Sequence, residues 1–241
     1  MGRDIQLIIP MSGIGKRFID AGYKDPKPLI AVDNKRIIEH VVNMFPGITD
    51  ITFICNEKHL QETNMREILL FIAPGCNIHS VSNNNRKGPV DAVYQIKEYI
   101  RDNAEVIVSY CDYGTQWNFN NFLQLTGTGD YDGMIPCYIG FHPHMLGGDN
   151  YAFCKQKNKK LIQIKEKEPF TNNKMNEYAS NGTYYFKSGK ILKKYFKELM
   201  DLNISLKGEF YVSLVYNLLV RDGLNVGIFE IDKMLLSLIH I

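Results

Sequence analysis

The sequence lacks paired cysteines, a strong net charge and any long apolar run. Its five cysteines are scattered and form no C-x-x-C pair, which argues against a zinc site or a disulfide framework and predicts reduced thiols in a cytoplasmic protein. The net charge of +2 is too small to indicate a nucleic-acid partner. No segment reaches the roughly 18 apolar residues of a membrane span, and the amino-terminal apolar run is too short for a signal peptide. We therefore expect no membrane and no nucleic-acid partner.

The chain does have the composition and patterning of a large α/β domain. Of its 241 residues, 45% are hydrophobic and 22% are charged. Strands are predicted at residues 7–10, 51–55, 77–82 and 105–110, and helices at 36–45, 58–71 and 89–100. This alternation predicts a Rossmann-like mixed, mostly parallel sheet flanked by helices. The second half is rich in strands, at residues 132–139, 151–155, 161–165, 178–186 and 225–231, with helices near 190–200 and 209–221.

A glycine-rich loop follows the first predicted strand and carries two cations. Gly13 and Gly15 let the backbone approach a ligand without a Cβ in the way, and Lys16 and Arg17 add positive charge. Consecutive N–H groups beside cations hold phosphate, although a glycine pair after a strand can also be only a tight turn. Lys27 stands between two prolines, which stiffen the backbone around a lysine that must stay aimed at developing negative charge.

The complete run, S-G-I-G-K-R-F followed by P-K-P-L, resembles the signature of the nucleotidyltransferases that join an NTP to a sugar phosphate or similar phosphate monoester. The resemblance implies that the loop holds the NTP phosphates, that Arg17 and Lys27 neutralise them as catalytic residues, and that pyrophosphate leaves. The bulky Phe18 argues against a dinucleotide-binding loop, and no P-loop motif is present. The nucleotide-binding residues implied here are Met11, Ser12, Gly13, Ile14, Gly15 and Lys16.

Asp112 comes just after the fourth predicted strand, in S-Y-C-D-Y. Ligands of doubly wound sheets bind beyond the carboxyl ends of the strands, so the glycine loop and the loops at Lys87 and Asp112 should converge. Mg²⁺ takes one or two carboxylates plus phosphate oxygens, and the family has its metal-binding aspartate here, which makes Asp112 the candidate Mg²⁺ ligand. From the residues alone, Asp112 could equally cap a helix that begins near Asn118, or begin a turn.

K-G-P-V-D-A, residues 87–92, resembles the family's G-x-x-x-A segment, which supports the nucleotide base through backbone contacts. On this interpretation Lys87, Gly88 and Asp91 are further nucleotide-binding residues, and Gly88 gives a flat base room to approach. Pro89 and Val90 differ from the smaller or polar residues usual there, which leaves the base identity open. An ordinary helix start, with Pro89 in the first turn, explains the same residues.

Three segments of the second half resemble the acceptor-binding segments of the family. K-E-K-E-P has the glutamate and lysine of the family's E-K-P segment, Glu166 and Lys167, with one extra residue before the proline. A solvated charge run is the alternative. Gly182, inside a predicted strand, leaves room for the acceptor. Glu209, in G-E-F-Y-V, is a further acceptor-binding candidate, although a charge at a helix N-terminus also explains it.

The form I-P-M-S-G-x-G-x-R-F with G-Y-x-x-P-K-P-L-I is similar to family members of capsule and surface-polysaccharide pathways, some of which use CTP and phosphocholine or phosphoglutamine. The resemblance implies an Mg²⁺-dependent nucleotidyltransferase, with CTP as the favoured NTP and a small phosphorylated acceptor, and it is compatible with a homodimer. A sugar 1-phosphate is the alternative acceptor. We predict one nucleotidyltransferase domain, residues 1–241, with a nucleotide-binding half at 1–130 and an acceptor-binding half at 131–241.

The family usually continues past the last strand with a segment near W/L-G-T-P-x-D, which supplies or supports a second metal carboxylate. No such motif and no Asp or Glu follows Asp232, so Asp232 or Glu230 would have to serve. This difference suggests a second hypothesis, a non-catalytic protein that binds NTP without releasing pyrophosphate. A glycosyltransferase of related fold is a third, although that class normally places a D-x-D pair where C-D-Y-G offers one carboxylate.

Overall fold

The computed structural model describes residues 3–82, 87–142 and 148–236, and its first half alternates strands with helices. Short 3₁₀ turns lie at Lys27–Leu29 and Lys97–Tyr99. In chain order the elements are β1 (Ile5–Met11), α1 (Lys16–Asp20), β2 (Ala31–Val32), β3 (Lys35–Arg36), α2 (Ile37–Asn43), β4 (Ile51–Asn56), α3 (Glu57–Glu62), α4 (Met65–Ile72), β5 (Asn77–Val81), α5 (Pro89–Gln95), β6 (Glu105–Ser109), β7 (Tyr113–Gln116) and α6 (Phe119–Gly127).

The second half adds most of the antiparallel strands and two long helices. Its elements are β8 (Gly133–Tyr138), β9 (Ala152–Lys157), β10 (Lys160–Glu166), β11 (Tyr178–Ser180), β12 (Thr183–Phe186), α7 (Gly189–Asp201), α8 (Val212–Arg221), β13 (Val226–Glu230) and β14 (Lys233–Leu236). Ten strands form one sheet in the order β11-β9-β10-β13-β8-β12-β6-β1-β4-β5. Strands of both halves therefore hydrogen-bond within one sheet, while the assignment of a function to each half stays a prediction.

The direction of the strands changes across the sheet. β5, β4, β1 and β6 are parallel, as predicted for the first half. β12 is antiparallel to β6, and antiparallel pairs dominate beyond it, with β13 and β8 as a parallel exception. The predicted mixed α/β fold with a strand-rich second half is confirmed.

β1 shows why the sheet needs helices on both faces. Its residues are all buried, and successive side chains point to opposite faces. Ile8 packs in one apolar cluster with residues of α5, α7 and α8, whereas Leu7 and Ile9 pack in a second cluster with residues of α2, α4 and α6. A strand that is buried on both faces reads as a continuous apolar run, and each fully buried Leu or Ile contributes roughly 1.5–3 kcal/mol.

The parallel register of β1 with β4 and β6 brings the carboxyl ends of three strands to one edge of the sheet. The carboxyl ends of these strands lead into the glycine loop, Asn56 and the Asp112 segment. The sequence predicted that the glycine loop and the loops at Lys87 and Asp112 converge here. Across residues 3–82, 87–142 and 148–236, no helix combines the length and apolarity that crossing a bilayer requires.

Three predicted helices have clearly different bounds in the structure. The helix predicted over residues 89–100 ends at Gln95 and is followed by the 3₁₀ turn at Lys97–Tyr99. The helix predicted over residues 58–71 is divided into α3 and α4, because the Thr63 hydroxyl donates to the His59 carbonyl at 2.6 Å and accepts from the Met65 N–H at 3.2 Å. The helix predicted from Glu209 begins only at Val212. The three residues before it, 209–211, lie instead against the loop at Lys87 and are called the strap below.

Candidate active site

The glycine loop leaves the buried end of β1 and enters α1. The Asn56 side chain, at the end of β4, donates to the Ser12 carbonyl at 3.3 Å and so ties the loop to the neighbouring strand. Gly15 has φ of 69°, in the left-handed region that favours glycine. A Cβ on Gly15 would lie 3.7 Å from the Cβ of Lys27, so the loop passes directly beside this lysine.

The other predicted residues of the loop differ in exposure. Met11 is buried at the end of β1, and Gly13 is exposed. The side chains of Ile14, Lys16 and Arg17 are also exposed. The two cations are therefore accessible to an anion that arrives from solvent, while the strand beneath them is fixed by packing.

Lys27 and Asp112 meet at the edge of the sheet. The Lys27 ammonium donates to the Asp112 carboxylate at 2.7 Å and lies 4.8 Å from the centroid of the Phe18 ring. The helix that begins after Asn118 is capped by Asn118 itself, whose side chain accepts from the Asn121 N–H at 2.9 Å. The alternative that Asp112 caps this helix is therefore wrong, and its carboxylate is paired with Lys27 instead.

Asp112 offers one carboxylate to a metal ion. Glu230 is paired with Lys159 and accepts from the Tyr178 hydroxyl, whereas Asp232 lines a separate groove of about 520 Å³ beside Trp117. Within the described parts of the chain, no three His, Cys, Asp or Glu side chains cluster as a metal site. Asp112 fits an Mg²⁺ site of the kind in which one carboxylate and the phosphates of the substrate supply oxygen ligands.

A cavity of about 180 Å³ adjoins Asp112 and contains three of the four predicted acceptor residues. Its polar lining includes Glu166, Lys167 and the backbone of Gly182, with Ser180 and Asn181 nearby. Five aromatic side chains complete the wall, namely Tyr110, Tyr113, Tyr151, Tyr184 and Tyr211. The candidate metal ligand and most of the candidate acceptor residues are thus brought to one cavity.

Gly182, predicted to lie inside one strand over residues 178–186, instead makes a bend between β11 and β12. Its φ is 98°, and its carbonyl accepts from the Tyr110 N–H at 3.0 Å. A Cβ here would lie only 3.0 Å from the Tyr113 ring. The buried Asn181 supports the bend, because its side chain accepts from the Thr183 N–H at 2.9 Å. Gly182 is therefore required by the protein's own packing, and its role in acceptor binding stays a prediction.

Glu166 faces the cavity as a partly buried carboxylate. It accepts a hydrogen bond from the Ser213 hydroxyl at 2.6 Å. Burial raises the pKa of Glu166, and the negative charge of Glu209 acts in the same direction, while the Ser213 bond and the Lys167 charge oppose the rise. The carboxylate is consequently a strong acceptor for a hydroxyl group or a cationic nitrogen that enters the cavity.

Lys167 is held at the mouth of the cavity by its backbone and by its ammonium group. It has φ of 57°, and its N–H donates to the Tyr151 carbonyl at 3.0 Å. The ammonium donates to the Tyr211 hydroxyl at 2.7 Å. The neighbouring Lys165 forms an ion pair with Glu168. Of the four charged residues in the K-E-K-E run, Lys165 and Glu168 therefore pair with each other, whereas Glu166 and Lys167 line the cavity.

The predicted base-binding loop packs against the strap. The Phe210 N–H donates to the Lys87 carbonyl at 2.7 Å, and a Cβ on Gly88 would lie 2.7 Å from the Phe210 nitrogen. Pro89 stands in the first turn of α5, and the Asp91 side chain accepts from Gln95 one turn later. The helix-start interpretation of this segment is therefore correct, and the role of its backbone in base binding stays a prediction.

Sequence reasoning missed four residues that shape the site. Asn56 is the last residue of β4, and a polar residue at the end of a buried strand was an available signal. Tyr211 and Ser213 lie in or beside the G-E-F-Y-V segment. Tyr151 carried no signal, because only its carbonyl contact with Lys167 and its place in the cavity wall mark it.

The chain belongs to the nucleotidyl transferase family, whose model matches residues 7–210. It is 27% identical over 217 residues to the bifunctional protein GlmU of Buchnera aphidicola subsp. Schizaphis graminum. This similarity covers 88% of the chain and 42% of the relative, so the chain spans less than half the length of that protein. Membership of the family confirms the predicted enzyme class, a nucleotidyltransferase.

Solved structures share the fold at low sequence identity. A nucleoside-diphosphate-sugar pyrophosphorylase from Vibrio cholerae RC9 aligns with a TM-score of 0.76 and 22% identity, covering 96% of this chain and 95% of that one. A protein assigned as a glucose-1-phosphate thymidylyltransferase from Bacillus anthracis aligns at 0.71 and 19%, covering 94% and 86%. The inositol-1-phosphate CTP transferase from T. maritima aligns at 0.67 and 14%, covering 95% and 86%.

Proposed function

We propose that this protein joins an NTP to a small phosphate-monoester acceptor and releases pyrophosphate, with CTP as the favoured nucleotide. The observation that carries the proposal is the contact between Lys27 and Asp112, at 2.7 Å, where the glycine loop meets the acceptor cavity. This arrangement gives a triphosphate and an acceptor phosphate adjacent sites. The resemblance to capsule-pathway enzymes suggests that the product serves capsule or surface-polysaccharide biosynthesis.

The chemistry needs positioning and charge compensation and no covalent enzyme intermediate. An acceptor phosphate oxygen attacks the α-phosphorus of the NTP in line, and the bond to pyrophosphate breaks. The glycine loop binds the triphosphate, while Arg17 and Lys27 offset the charge that develops on the phosphates. Bound Mg²⁺, held by Asp112 and phosphate oxygens, would supply further positive charge between them.

The acceptor side has its own division of roles. The Lys167 ammonium binds the acceptor phosphate, and Glu166 receives the group at the far end of the acceptor. Gly182 keeps the cavity wall free of a side chain at the bend. Glu209 acts through Tyr211, which donates to it at 2.6 Å. The carboxylates of Glu166 and Glu209 lie beside the single ammonium of Lys167, so the acceptor side of the site has a net negative charge.

That charge favours an acceptor with a cationic nitrogen, such as phosphocholine or phosphoglutamine. The tyrosine-lined wall supports the same choice, because aromatic faces attract ammonium groups. A sugar 1-phosphate is the second candidate, since Glu166 accepts from hydroxyl groups equally well. The chain is similar to GlmU and to proteins named for sugar nucleotides and for inositol 1-phosphate. We therefore test a sugar 1-phosphate and inositol 1-phosphate as acceptors as well.

The test measures pyrophosphate release from each of the four NTPs with Mg²⁺ and, in turn, phosphocholine, phosphoglutamine, glucose 1-phosphate and inositol 1-phosphate. We expect the fastest release from CTP with a cationic acceptor. Pyrophosphate release only with glucose 1-phosphate or inositol 1-phosphate would show that the acceptor is a polyhydroxyl phosphate and not a cationic one. Binding of an NTP without release for any acceptor would favour the non-catalytic hypothesis. Light scattering of the same sample tests the expected homodimer.

A further inference from the structure

The strap, residues 209–211, is fixed at its backbone by the loop that precedes α5. The Phe210 N–H donates to the Lys87 carbonyl at 2.7 Å, and the Val90 N–H donates to the Phe210 carbonyl at 3.1 Å. Phe210 is itself buried in the apolar cluster beneath. This pair of hydrogen bonds holds the strap against the predicted base-binding loop, so the next residue leaves from a defined position.

The Tyr211 side chain extends from the strap to the acceptor cavity. Its hydroxyl accepts from the Lys167 ammonium at 2.7 Å and donates to the Glu209 carboxylate at 2.6 Å. The ammonium also lies 4.4 Å from the centroid of the Tyr211 ring. A tyrosine hydroxyl that donates to a carboxylate is a better acceptor for a cation, because the two hydrogen bonds polarise each other.

Lys167 needs a hydrogen-bond acceptor such as the Tyr211 hydroxyl to hold its ammonium group in one position. Lys167 is exposed, and its four-carbon side chain has many rotamers in solvent. A lysine ammonium carries three donors, so one directed to Tyr211 leaves donors of fixed direction for a phosphate. The same ring lines the cavity that contains Glu166 and Asp112.

We propose that Tyr211 is a positioning residue for the acceptor phosphate, because its hydroxyl fixes the Lys167 ammonium at the mouth of the cavity. The strap ties this position to the loop at Lys87, so the acceptor lysine and the nucleotide side of the site share one support. The proposal rests on the proposed role of Lys167 in acceptor binding. The contact between the two side chains is tested separately from catalysis.

The first experiment labels lysines with an amine-reactive ester and measures each site by mass spectrometry. Tyr211→Phe keeps the ring and removes only the hydroxyl, so Lys167 should react several-fold faster than in the unaltered protein. The exposed Lys157 gives the internal reference, and Tyr99→Phe, at an exposed tyrosine, gives the matched control variant. Glu209→Ala, which removes the carboxylate that holds Tyr211, should shift Lys167 in the same direction. Unchanged labelling of Lys167 in Tyr211→Phe overturns the proposal.

The second experiment compares kinetic constants of the same variants. Tyr211→Phe should raise KM for the acceptor by about tenfold, the effect of one hydrogen bond to a charged group, with KM for the NTP unchanged. A rise in both KM values, or a loss of kcat alone, would assign Tyr211 a merely structural role and overturn the proposal. If the unaltered protein turns over none of the four acceptors, the proposed function fails and the labelling result alone decides about Tyr211.

Discussion

Lys27 donates a hydrogen bond to Asp112 across 85 residues of sequence, at 2.7 Å. The side chain of Lys27 is 14% exposed and that of Asp112 is 40% exposed, so the pair lies near the surface of the site. The lysine predicted to neutralise phosphate and the carboxylate predicted to hold Mg²⁺ therefore occupy one position. Because partly exposed ion pairs contribute little to stability, each residue can be tested with the fold intact.

Lys27→Ala should lower kcat by about 100-fold or more, the effect of removing one donor that stabilises developing charge. The free energy of unfolding should change by less than about 1 kcal/mol, since the lost ion pair is partly exposed. Pyrophosphate release and urea denaturation measure the two quantities. Lys24→Ala, at an exposed lysine three residues earlier, is the control. Unchanged turnover in Lys27→Ala would remove Lys27 from the mechanism.

Asp112→Asn should weaken NTP binding in the presence of Mg²⁺ by at least about tenfold, a loss of ~1.4 kcal/mol. Binding in EDTA should differ much less, because the carboxylate acts through the metal ion. Isothermal titration calorimetry with CTP under both conditions makes the comparison. The exposed Asp25, changed to Asn, is the control. An equal response to Mg²⁺ in Asp112→Asn and the unaltered protein would exclude Asp112 as the ligand.

Gly88→Ala should destabilise the protein by about 1–3 kcal/mol through backbone strain and should also weaken NTP binding. The reason is that φ is 95° and the new Cβ would lie 2.7 Å from the Phe210 nitrogen. Gly223→Ala separates strain from contact, since Gly223 has φ of 78° with open space at its Cβ. Urea denaturation should therefore show a smaller loss for Gly223→Ala. Equal losses would mean that the strap does not press on Gly88.

Glu166→Gln should change how stability depends on pH. Because burial raises the pKa of Glu166 in the folded protein, the unaltered protein binds this proton more tightly when folded than when unfolded. The resulting stability is fully present below the unfolded-state pKa and is lost as pH rises through the folded-state pKa. Urea denaturation between about pH 4 and pH 8 should therefore show that the unaltered protein loses stability relative to Glu166→Gln as pH rises.

Ser213 provides the internal check on that prediction. Its hydroxyl bond to Glu166, at 2.6 Å, favours the charged carboxylate. Ser213→Ala should raise the pKa of Glu166 further, so the pH range of the stability loss should move upward. A stability difference between the unaltered protein and Glu166→Gln that does not vary with pH would contradict the assigned burial effect.

The sequence by itself determined the features that depend on local pattern. β1 was predicted because a strand buried on both faces is a continuous apolar run. Successive side chains of a strand point to opposite faces, so Ile8 packs in one apolar cluster and its neighbours Leu7 and Ile9 pack in the other. The position of Asp112 shortly after the end of a buried strand followed in the same way. Pro89 was predicted in the first turn of a helix, where a missing N–H costs nothing.

Local pattern failed where a side chain or a distant segment competes with helix formation. Thr63 divides the helix predicted over residues 58–71, because its hydroxyl hydrogen-bonds to the His59 carbonyl before the break and to the Met65 N–H after it. The helix predicted from Glu209 begins only at Val212. Of the three residues before it, Phe210 exchanges backbone hydrogen bonds with Lys87 and Val90 in a distant segment of the chain, and Glu209 exchanges them with Leu206.

Only the tertiary structure decided which charged and aromatic side chains meet. The sequence motifs identified Lys27, Asp112 and Lys167 as candidate site residues. The residues to which they hydrogen-bond lie in segments far apart in sequence. Tyr211 became part of the site because the strap is hydrogen-bonded to the loop at Lys87, which directs its ring toward the cavity. Local propensity sets where a strand or helix forms; the direction of a side chain between such elements is set by packing and by long-range hydrogen bonds, which short-range pattern does not contain.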